Sequence, residues 1–252
     1  MNIKWDADKY TSNFSFVHQY GNSVMDLIDA DKNSTVLDLG CGNGALTKAL
    51  QEKGYAVKGM DASKELLDIA KNNYPGIEFI EADATNFSLH EPVDAVFSNA
   101  VFHWINREHQ QDMLKCVYGA LKKSGQFVFE FGGYQNNQFI HKALSEVFSE
   151  YGYTYEIPFY FPTISEYATL LENSGFMVRY AILFDRLTEL KGENGLRDWI
   201  NMFIKTPFTV INNEDEKRTI IDKVVDDLQD ILYKDGKWYA DYVRIRMKAI
   251  KV

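Results

Sequence analysis

Cysteine is scarce in this chain. Cys41 and Cys116 are the only two in 252 residues, far apart and in no metal-ligand spacing, so they read as reduced thiols and not as a disulfide framework. No apolar run approaches the roughly 20 residues that a bilayer-spanning helix needs, so no membrane partner is expected. The opening MNIKWDADKY carries charge with no apolar stretch behind it; no secretory signal is expected, and the cytoplasm is the expected compartment. Positive charge is also short, with 27 Lys and Arg against 36 Asp and Glu and a formal net charge of -9. An acidic surface repels phosphate backbones and no dense basic run makes a local exception, so nucleic acid is not an expected partner. The histidines show no metal-ligand spacing, and no metal is assigned.

What is present is ordinary globular composition, 46% hydrophobic and 25% charged, with length for a sizeable core and one domain over 1–252. Residues 34–131 alternate short apolar runs (TVLDLG, AVKGMD, IEFIEAD, VDAVFSN, GQFVFEF) with helical patterns at 46–51, 64–71 and 108–121. That alternation predicts a doubly wound α/β fold, a mainly parallel sheet covered on both faces. Such sheets bind ligands outside the carboxyl ends of their strands, which makes 34–131 the candidate cofactor-binding core. Ahead of it, 1–33 reads as an N-terminal helical cover, helical over 11–28. Its aromatics Tyr10, Phe14 and Phe16 either cover a sheet edge or close the cofactor pocket.

After 131 the alternation loosens. Helices are expected at 138–151 and 165–174, the second capped by Ser165 or Thr163 and stopped at Gly175, followed by a strand at 177–184. A last strand is expected at 238–250. Between them, 185–237 carries helical periodicity at 196–204 and 214–233, a detour too long for a hairpin and expected to form an inserted helical lid over the carboxyl edge. Its Trp199, Phe203, Phe208 and Ile211 either line an apolar chamber, complete a static bundle, or serve a homodimer interface. Monomer and homodimer both stay open.

The sharpest local signal is LDLGCGNGALTKAL at 37–50. A strand ends at Gly40, alternating glycines (Gly40, Gly42, Gly44) make a tight turn, and a helix starts near Ala45. Missing Cβ atoms let backbone approach a ligand, and the helix terminus supplies N–H donors. Asp61, 21 residues beyond Gly40, stands where a second-strand carboxylate can accept the ribose hydroxyls of an adenosine cofactor. It could instead cap the following helix, although Ser63 is the better cap. In EADA, Asp83 can accept an adenine amine and Ala84 offers a backbone donor; alternatively Asp83 caps the turn at Thr85. The fourth run delivers Ser98, Asn99 and Ala100 to the same edge, and His103 and Trp104 face the expected reaction chamber. Gly40, Gly42 and Ala45 also satisfy a relaxed dinucleotide fingerprint, so an NAD-dependent oxidoreductase is an open alternative at this point.

The segments VLDLGCGNGALTKAL, VKGMDASKELLDIAK, FIEADA, DAVFSNAVFHWI and LKKSGQFVFEF together resemble the class I S-adenosylmethionine-dependent methyltransferases, in particular the group similar to trans-aconitate methyltransferase. Weaker echoes at WDADKY, LLENSGFMV, GLRDWINMF and YVRIRMKAI extend the resemblance over nearly the whole chain. It implies a seven-stranded, mostly parallel sheet whose antiparallel final strand inserts beside the fifth. It also implies S-adenosyl-L-methionine as cofactor and S-adenosyl-L-homocysteine as product. Cofactor contacts would come from Asp38, Gly40, Cys41, Gly42, Asn43, Gly44, Asp61, Ala62, Asp83, Ala84 and Asn99. The 40–44 loop would hold the methionine portion, Asp61 the ribose and Asp83 the adenine edge, with Asn99 beside the sulfonium. Two departures stand out. Ser124-Gly125 replaces the usual Gly-Gly, and DAVFSNAVFHW lacks the Asn-Pro-Pro-Tyr type of sequence that cradles a nitrogen acceptor.

A methyl sulfonium is already electrophilic, so the protein must chiefly align reactants and exclude water. The expected partner is a small-molecule methyl acceptor, here a carboxylic acid or related metabolite methylated on oxygen. An ionised carboxylate needs no base; for a hydroxyl, His103 is the candidate base, and otherwise it orients the acceptor or walls the chamber. Tyr10, His103, Trp104, Trp199 and Arg246 are the candidate substrate contacts. Arg246 is named from the set Arg179, Arg186, Arg197, Arg244 and Arg246 because an arginine fork pairs bidentately with carboxylate; Tyr242 and Arg244 share its face by period two. A non-catalytic S-adenosylmethionine or metabolite-binding protein is the second alternative.

Overall fold

The computed structural model describes residue 21 and residues 23–252; Tyr10, Phe14, Phe16 and most of the expected N-terminal cover lie outside the described residues. Strands β1 (Thr35–Leu39), β2 (Ala56–Asp61), β3 (Glu78–Glu81), β4 (Val93–Asn99) and β5 (Leu121–Gly132) form from the five apolar runs. Helices α1 (Ala45–Glu52), α2 (Lys64–Asn73) and α3 (Gln110–Ala120) connect them. The second half adds α4 (Gln138–Glu150), α5 (Ile164–Asn173), β6 (Phe176–Leu190), α6 (Gly195–Phe203), α7 (Glu214–Asp227), α8 (Gln229–Leu232), β7 (Tyr233–Lys234) and β8 (Lys237–Lys251).

One sheet results, ordered β3-β2-β1-β4-β5-β8-β6, with β7 paired to β8 off that path. Pairs from β3 to β5 are parallel, and β8 is antiparallel to both β5 and β6. This is the expected doubly wound sheet with its antiparallel final strand inserted beside the fifth. Apolar side chains alternate to two covered faces: Leu37, Leu39 and Val96 pack with Met113, Leu114 and Val117 of α3. On the other face Val36, Ala95 and Phe97 meet Leu46 and Leu50 of α1 and Val24, Met25 and Ile28. Among the described residues no helix is long and apolar enough to cross a membrane.

The second half departs from the expected boundaries in ways with physical causes. β6 runs to Leu190, six residues past its expected end, because Arg186 to Leu190 pair with β8 at Trp238 to Tyr242. β5 pairs β8 only from Arg244 onward. Thus a two-stranded ribbon overhangs the carboxyl edge of the sheet, and the helices of the insertion hang from its far end. The helix expected at 214–233 breaks at Leu228 into α7 and α8. Tyr233 then starts a hairpin whose two-residue turn, Asp235 and Gly236, has positive φ at both positions, the geometry that matches strand twist. Ser124 takes φ 63° in the turn before β5's main run. Gly125 is the position that tolerates no side chain, since a Cβ there would lie 2.9 Å from the Lys122 carbonyl oxygen. Helices α6 to α8 share one apolar cluster with α4 and the start of β8, including Leu144, Phe148, Trp199, Ile220 and Leu232.

The parallel and antiparallel halves are joined electrostatically by Glu130 of β5, whose side chain is 2% exposed. Its carboxylate takes Arg186 of β6 in a fork (2.5 and 3.0 Å) and Nε of Arg246 of β8 at 2.7 Å. Arg246 in turn donates to Ser23 Oγ at 2.8 Å. Breaking a buried pair leaves uncompensated charge, which outweighs what the intact pair contributes. Glu130→Ala is therefore expected to cost about 3–5 kcal/mol, read as a lower urea midpoint at unchanged slope. Lys123→Ala, at an exposed turn position, should stay within about 0.5 kcal/mol.

Candidate active site

The loop after β1 is built around backbone that must come close to its surroundings. Gly40 and Cys41 both donate their N–H to the Met60 carbonyl, tying the turn to the end of β2. Gly40 has φ 78°, and a Cβ there would run into the Val101 side chain. Gly42 has φ 54° for a different reason. Its side-chain position is open, with Leu66 the nearest atom at 3.9 Å, and it lines a cavity of about 660 Å³. Packing requires the first glycine; approach of a ligand suits the second. Asn43 and Gly44 do not line the cavity. Asn43 Oδ1 accepts the Ala45 N–H at 3.2 Å, capping α1, and Gly44 is its left-handed N-cap residue.

Carboxylates from successive strand ends surround this cavity. Asp38 is 1% exposed and accepts Thr47 Oγ1–H at 2.7 Å. Burial pushes its carboxyl up from 3.8 to about 7, against the Thr47 hydrogen bond, and Asp61 adds repulsion. Asp61 accepts Gly42 N–H and Ser63 N–H, each at 2.8 Å. Its carboxyl is raised too, because burial outweighs those bonds. Ser63 itself caps α2 by accepting Leu66 N–H. Asp83 accepts both donors of Thr85, at 2.8 and 2.7 Å; the backbone bond chiefly holds its carboxyl below the usual range. Cys41 also lines the cavity, but burial pushes its thiol far up, leaving an inert neutral group. Ala62, Ala84 and Asn99 complete the set of expected cofactor residues on this wall.

A second cavity, of about 40 Å³, adjoins the first. Ala100 and Trp104 line both. Ala100 has φ 62°, and its N–H is held by the Glu130 carbonyl at 2.7 Å. A non-glycine residue in left-handed backbone at a site junction is strain of the kind that functional sites store. The far walls come from His103, Asn136, Asn137, Phe159, Phe161, Trp199, Phe203, Tyr242 and Arg244. Trp199 Nε1–H donates to Tyr242 Oη at 2.6 Å, and the Arg244 guanidinium lies 4.2 Å above the Tyr242 ring. His103 accepts Gly132 N–H at Nδ1, 3.3 Å. Burial first, then the nearby Arg244 charge, keep its pKa well below the usual value. The ring is therefore neutral with its proton on Nε2, a hydrogen-bond donor.

Of the expected substrate residues, His103, Trp104 and Trp199 come together here, and Tyr10 lies outside the described residues. Arg246 lines neither cavity, because Glu130 and Ser23 engage it; Arg244, two residues earlier on the same strand face, takes the cavity position. Sequence reasoning also missed Glu81, opposite Asp61 in the β2–β3 register and on the first cavity wall. It missed Asn137 as well, whose buried Oδ1 has no hydrogen-bond partner. The GGYQNN run directly after β5 was the available signal for Asn137, since loops at strand ends carry ligand groups.

A parallel sheet with a glycine turn and carboxylates at three successive strand ends defines a protein that takes an adenosine-type cofactor. Comparison with known proteins narrows this. A family model described as a methyltransferase domain matches residues 36–125. An uncharacterized methyltransferase of Schizosaccharomyces pombe is 30% identical over 263 residues, covering 98% of this chain and 98% of its own. The chain belongs to the class I S-adenosylmethionine-dependent methyltransferases. Trans-aconitate 2-methyltransferase of Rhodopseudomonas palustris is 35% identical over 126 residues, 48% of this chain and 47% of that enzyme. A crystal structure from Bacillus halodurans shares the fold with TM-score 0.66 at 19% identity, covering 92% of this chain and 99% of that one. A TehB-like SAM-dependent methyltransferase from Corynebacterium glutamicum does so with TM-score 0.53 at 18% identity, over 70% and 86%. Fold and family imply S-adenosylmethionine as cofactor, and the nicotinamide alternative is not supported.

The buried carboxylates set a pH dependence. An acid whose folded pKa is raised holds its proton in the folded state while the unfolded chain has already lost it, so stability falls as pH rises between the two values. For Asp38 that window runs from 3.8 to about 7, a loss of up to about 4 kcal/mol in the cofactor-free protein. Asp38→Asn should remove this loss: urea melts would show the variant more stable than wild type at pH 8 and the gap closing toward pH 4.

Proposed function

We propose that the protein transfers a methyl group to an oxygen of a small carboxylic acid or related metabolite held in the second cavity. The observation that carries this reading is that Arg244 and the Nε2–H of neutral His103 line a chamber joined to the cofactor-sized cavity at Ala100 and Trp104.

The residues of the first cavity fit S-adenosylmethionine. Its volume lies within the range of about 300–1,000 Å³ usual for such ligands, and Gly42 leaves open space on the loop. Asp38 and the 40–42 backbone would hold the methionine portion, Asp61 the ribose, and Asp83 with Ala84 the adenine edge. When bound, the cofactor supplies a methyl group already activated by a positive sulfur.

In the second cavity Arg244 pairs with the acceptor carboxylate, and its guanidinium is steadied on Tyr242. His103 orients the acceptor by donating from Nε2. An Nδ1 that accepts Gly132 N–H and an Nε2 that bears the proton favour this orienting role over that of a base. An ionised carboxylate oxygen needs none. Asn137 Oδ1, unpartnered and buried, accepts a hydrogen bond from a second polar group on the acceptor. Trp104, Phe159 and Phe161 exclude water. A cavity of about 40 Å³ accommodates a few waters at about 10–15 Å³ each, less than a metabolite. On this reading the α6 wall of Trp199 and Phe203 moves to admit the acceptor, and the insertion serves as a lid.

Calorimetric titration with S-adenosylhomocysteine should show saturable binding that Asp61→Ala loses and NADH does not reproduce. In an acceptor panel starting from small carboxylic acids, Arg244→Met should lower kcat/KM about 100-fold or more while product binding persists. Methylation of a hydroxylated or amine-bearing metabolite with no ester from any carboxylic acid would make the acceptor assignment wrong. Binding with no methyl product across the panel would leave a binding protein. Hydrogen exchange tests the lid: amides of α6 should gain protection when cofactor product and acceptor are both present, and unchanged protection in every ligand state would show a static bundle.

A further inference from the structure

β6 ends the sheet, and its outer edge is unpaired among the described residues. Such an edge is a template for another strand unless charge or coverage blocks it. Among the described residues neither blocks it. Four of the twelve large apolar side chains exposed among the described residues lie on this strand: Met177, Tyr180, Ile182 and Leu187. Of its four charged side chains, Arg186 is paired with Glu130 and Glu189 with Lys237. Arg179 and Asp185 are exposed and have no ion-pair partner among the described residues. They are of opposite sign, and each stands three residues from Ile182.

We propose that β6 is a dimerisation edge, pairing antiparallel with β6 of a second copy of this chain about a two-fold axis at Ile182. In a two-fold antiparallel pair, residues equidistant from the axis face each other. Arg179 then faces Asp185 of the other copy, Tyr180 faces Phe184, and Ile182 faces itself. Each dimer contains both symmetry-related Arg179–Asp185 pairs. The register is selective: an axis at Ala181 sets Arg179 opposite Leu183, and one at Leu183 sets it opposite Leu187, leaving both charges without partners. The register shift between Val178 and Tyr180 leaves Arg179 out of the ladder to β8. A bulge of this kind bends the strand and ends regular pairing, so the ladder between copies covers 180–184 with the charge pairs closing its ends. The two sheets become one continuous sheet, and each copy's cavities stay on its own carboxyl edge.

Sedimentation of the full chain from about 1 to about 100 μM, where small specific interfaces dissociate, should show a monomer–dimer equilibrium. Arg179→Asp alone or Asp185→Arg alone places two like-charge pairs across the axis and should weaken the dimer about tenfold. The double variant Arg179→Asp with Asp185→Arg should recover it, which loss of folding could not mimic. Ile182→Lys should give monomer, with S-adenosylhomocysteine binding as the check that the fold survives. In wild type, amides of 180–184 should exchange more slowly as concentration rises. Wild-type monomer at about 100 μM would overturn the proposal, as would a dimer indifferent to the single reversals or not restored by the double one.

Discussion

Much of the molecule hangs on one buried carboxylate. Glu130 sits at the carboxyl end of β5, where the parallel half of the sheet meets the antiparallel pair. Its side chain gathers Arg186 and Arg246 from the two strands beyond, and its carbonyl holds the N–H of Ala100, the strained residue between the two cavities. Taking the carboxylate from water is costly, and that cost is offset only if both arginines stay in place. The same residue therefore constrains how β6 and β8 dock and where the β4 end points. The ribbon that these two strands form carries the helical insertion, so the smaller cavity inherits its walls from this contact.

The two cavities are sorted by charge. Asp38, Asp61, Glu65, Glu81 and Asp83 outnumber Lys64 around the larger one, while the smaller has Arg244 and a neutral imidazole. With both Asp38 and Asp61 raised by burial, the larger site favours a ligand that brings positive charge and hydroxyl donors, because such a ligand restores what burial removed. On the carboxylic-acid proposal, the cation and neutral donors of the smaller site meet an anionic acceptor, and aromatic walls strengthen those contacts by excluding water. The net charge of -9 does not oppose this, since the field in a cleft depends on the nearest groups.

The parallel core was legible because its signals are local. Continuous apolar runs mark β1 to β5, glycine spacing marks the turn after β1, and acids placed just past successive runs mark the cavity wall, since strand ends of a parallel sheet necessarily share one edge. The insertion was less legible. Helical period was visible in 214–233, but the break at Leu228 and the hairpin at Asp235-Gly236 depend on how α8 packs against β8. The length of β6 was hidden for a related reason: its last residues are strand only because Trp238 to Tyr242 are there to pair with them.

Arg244 and Arg246 show the boundary between the two kinds of information. Period two places both on one face of β8, and nothing local separates them. Their separation along the strand, about 6.7 Å, decides that Arg246 lies opposite Glu130 and Arg244 opposite Gly132, where Arg244 lines the smaller cavity. His103 is similar: its residue type allowed a base, and the Gly132 N–H, supplied by a strand 29 residues away, decides its tautomer. By itself the sequence determined the sheet, the cofactor loop and the acids around it, because strand period, turn chemistry and strand-end position are properties of neighbouring residues. That Arg244 and not Arg246 lines the smaller cavity, and that the His103 proton sits on Nε2, came from the tertiary structure alone, because hydrogen bonds and ion pairs between distant segments set both.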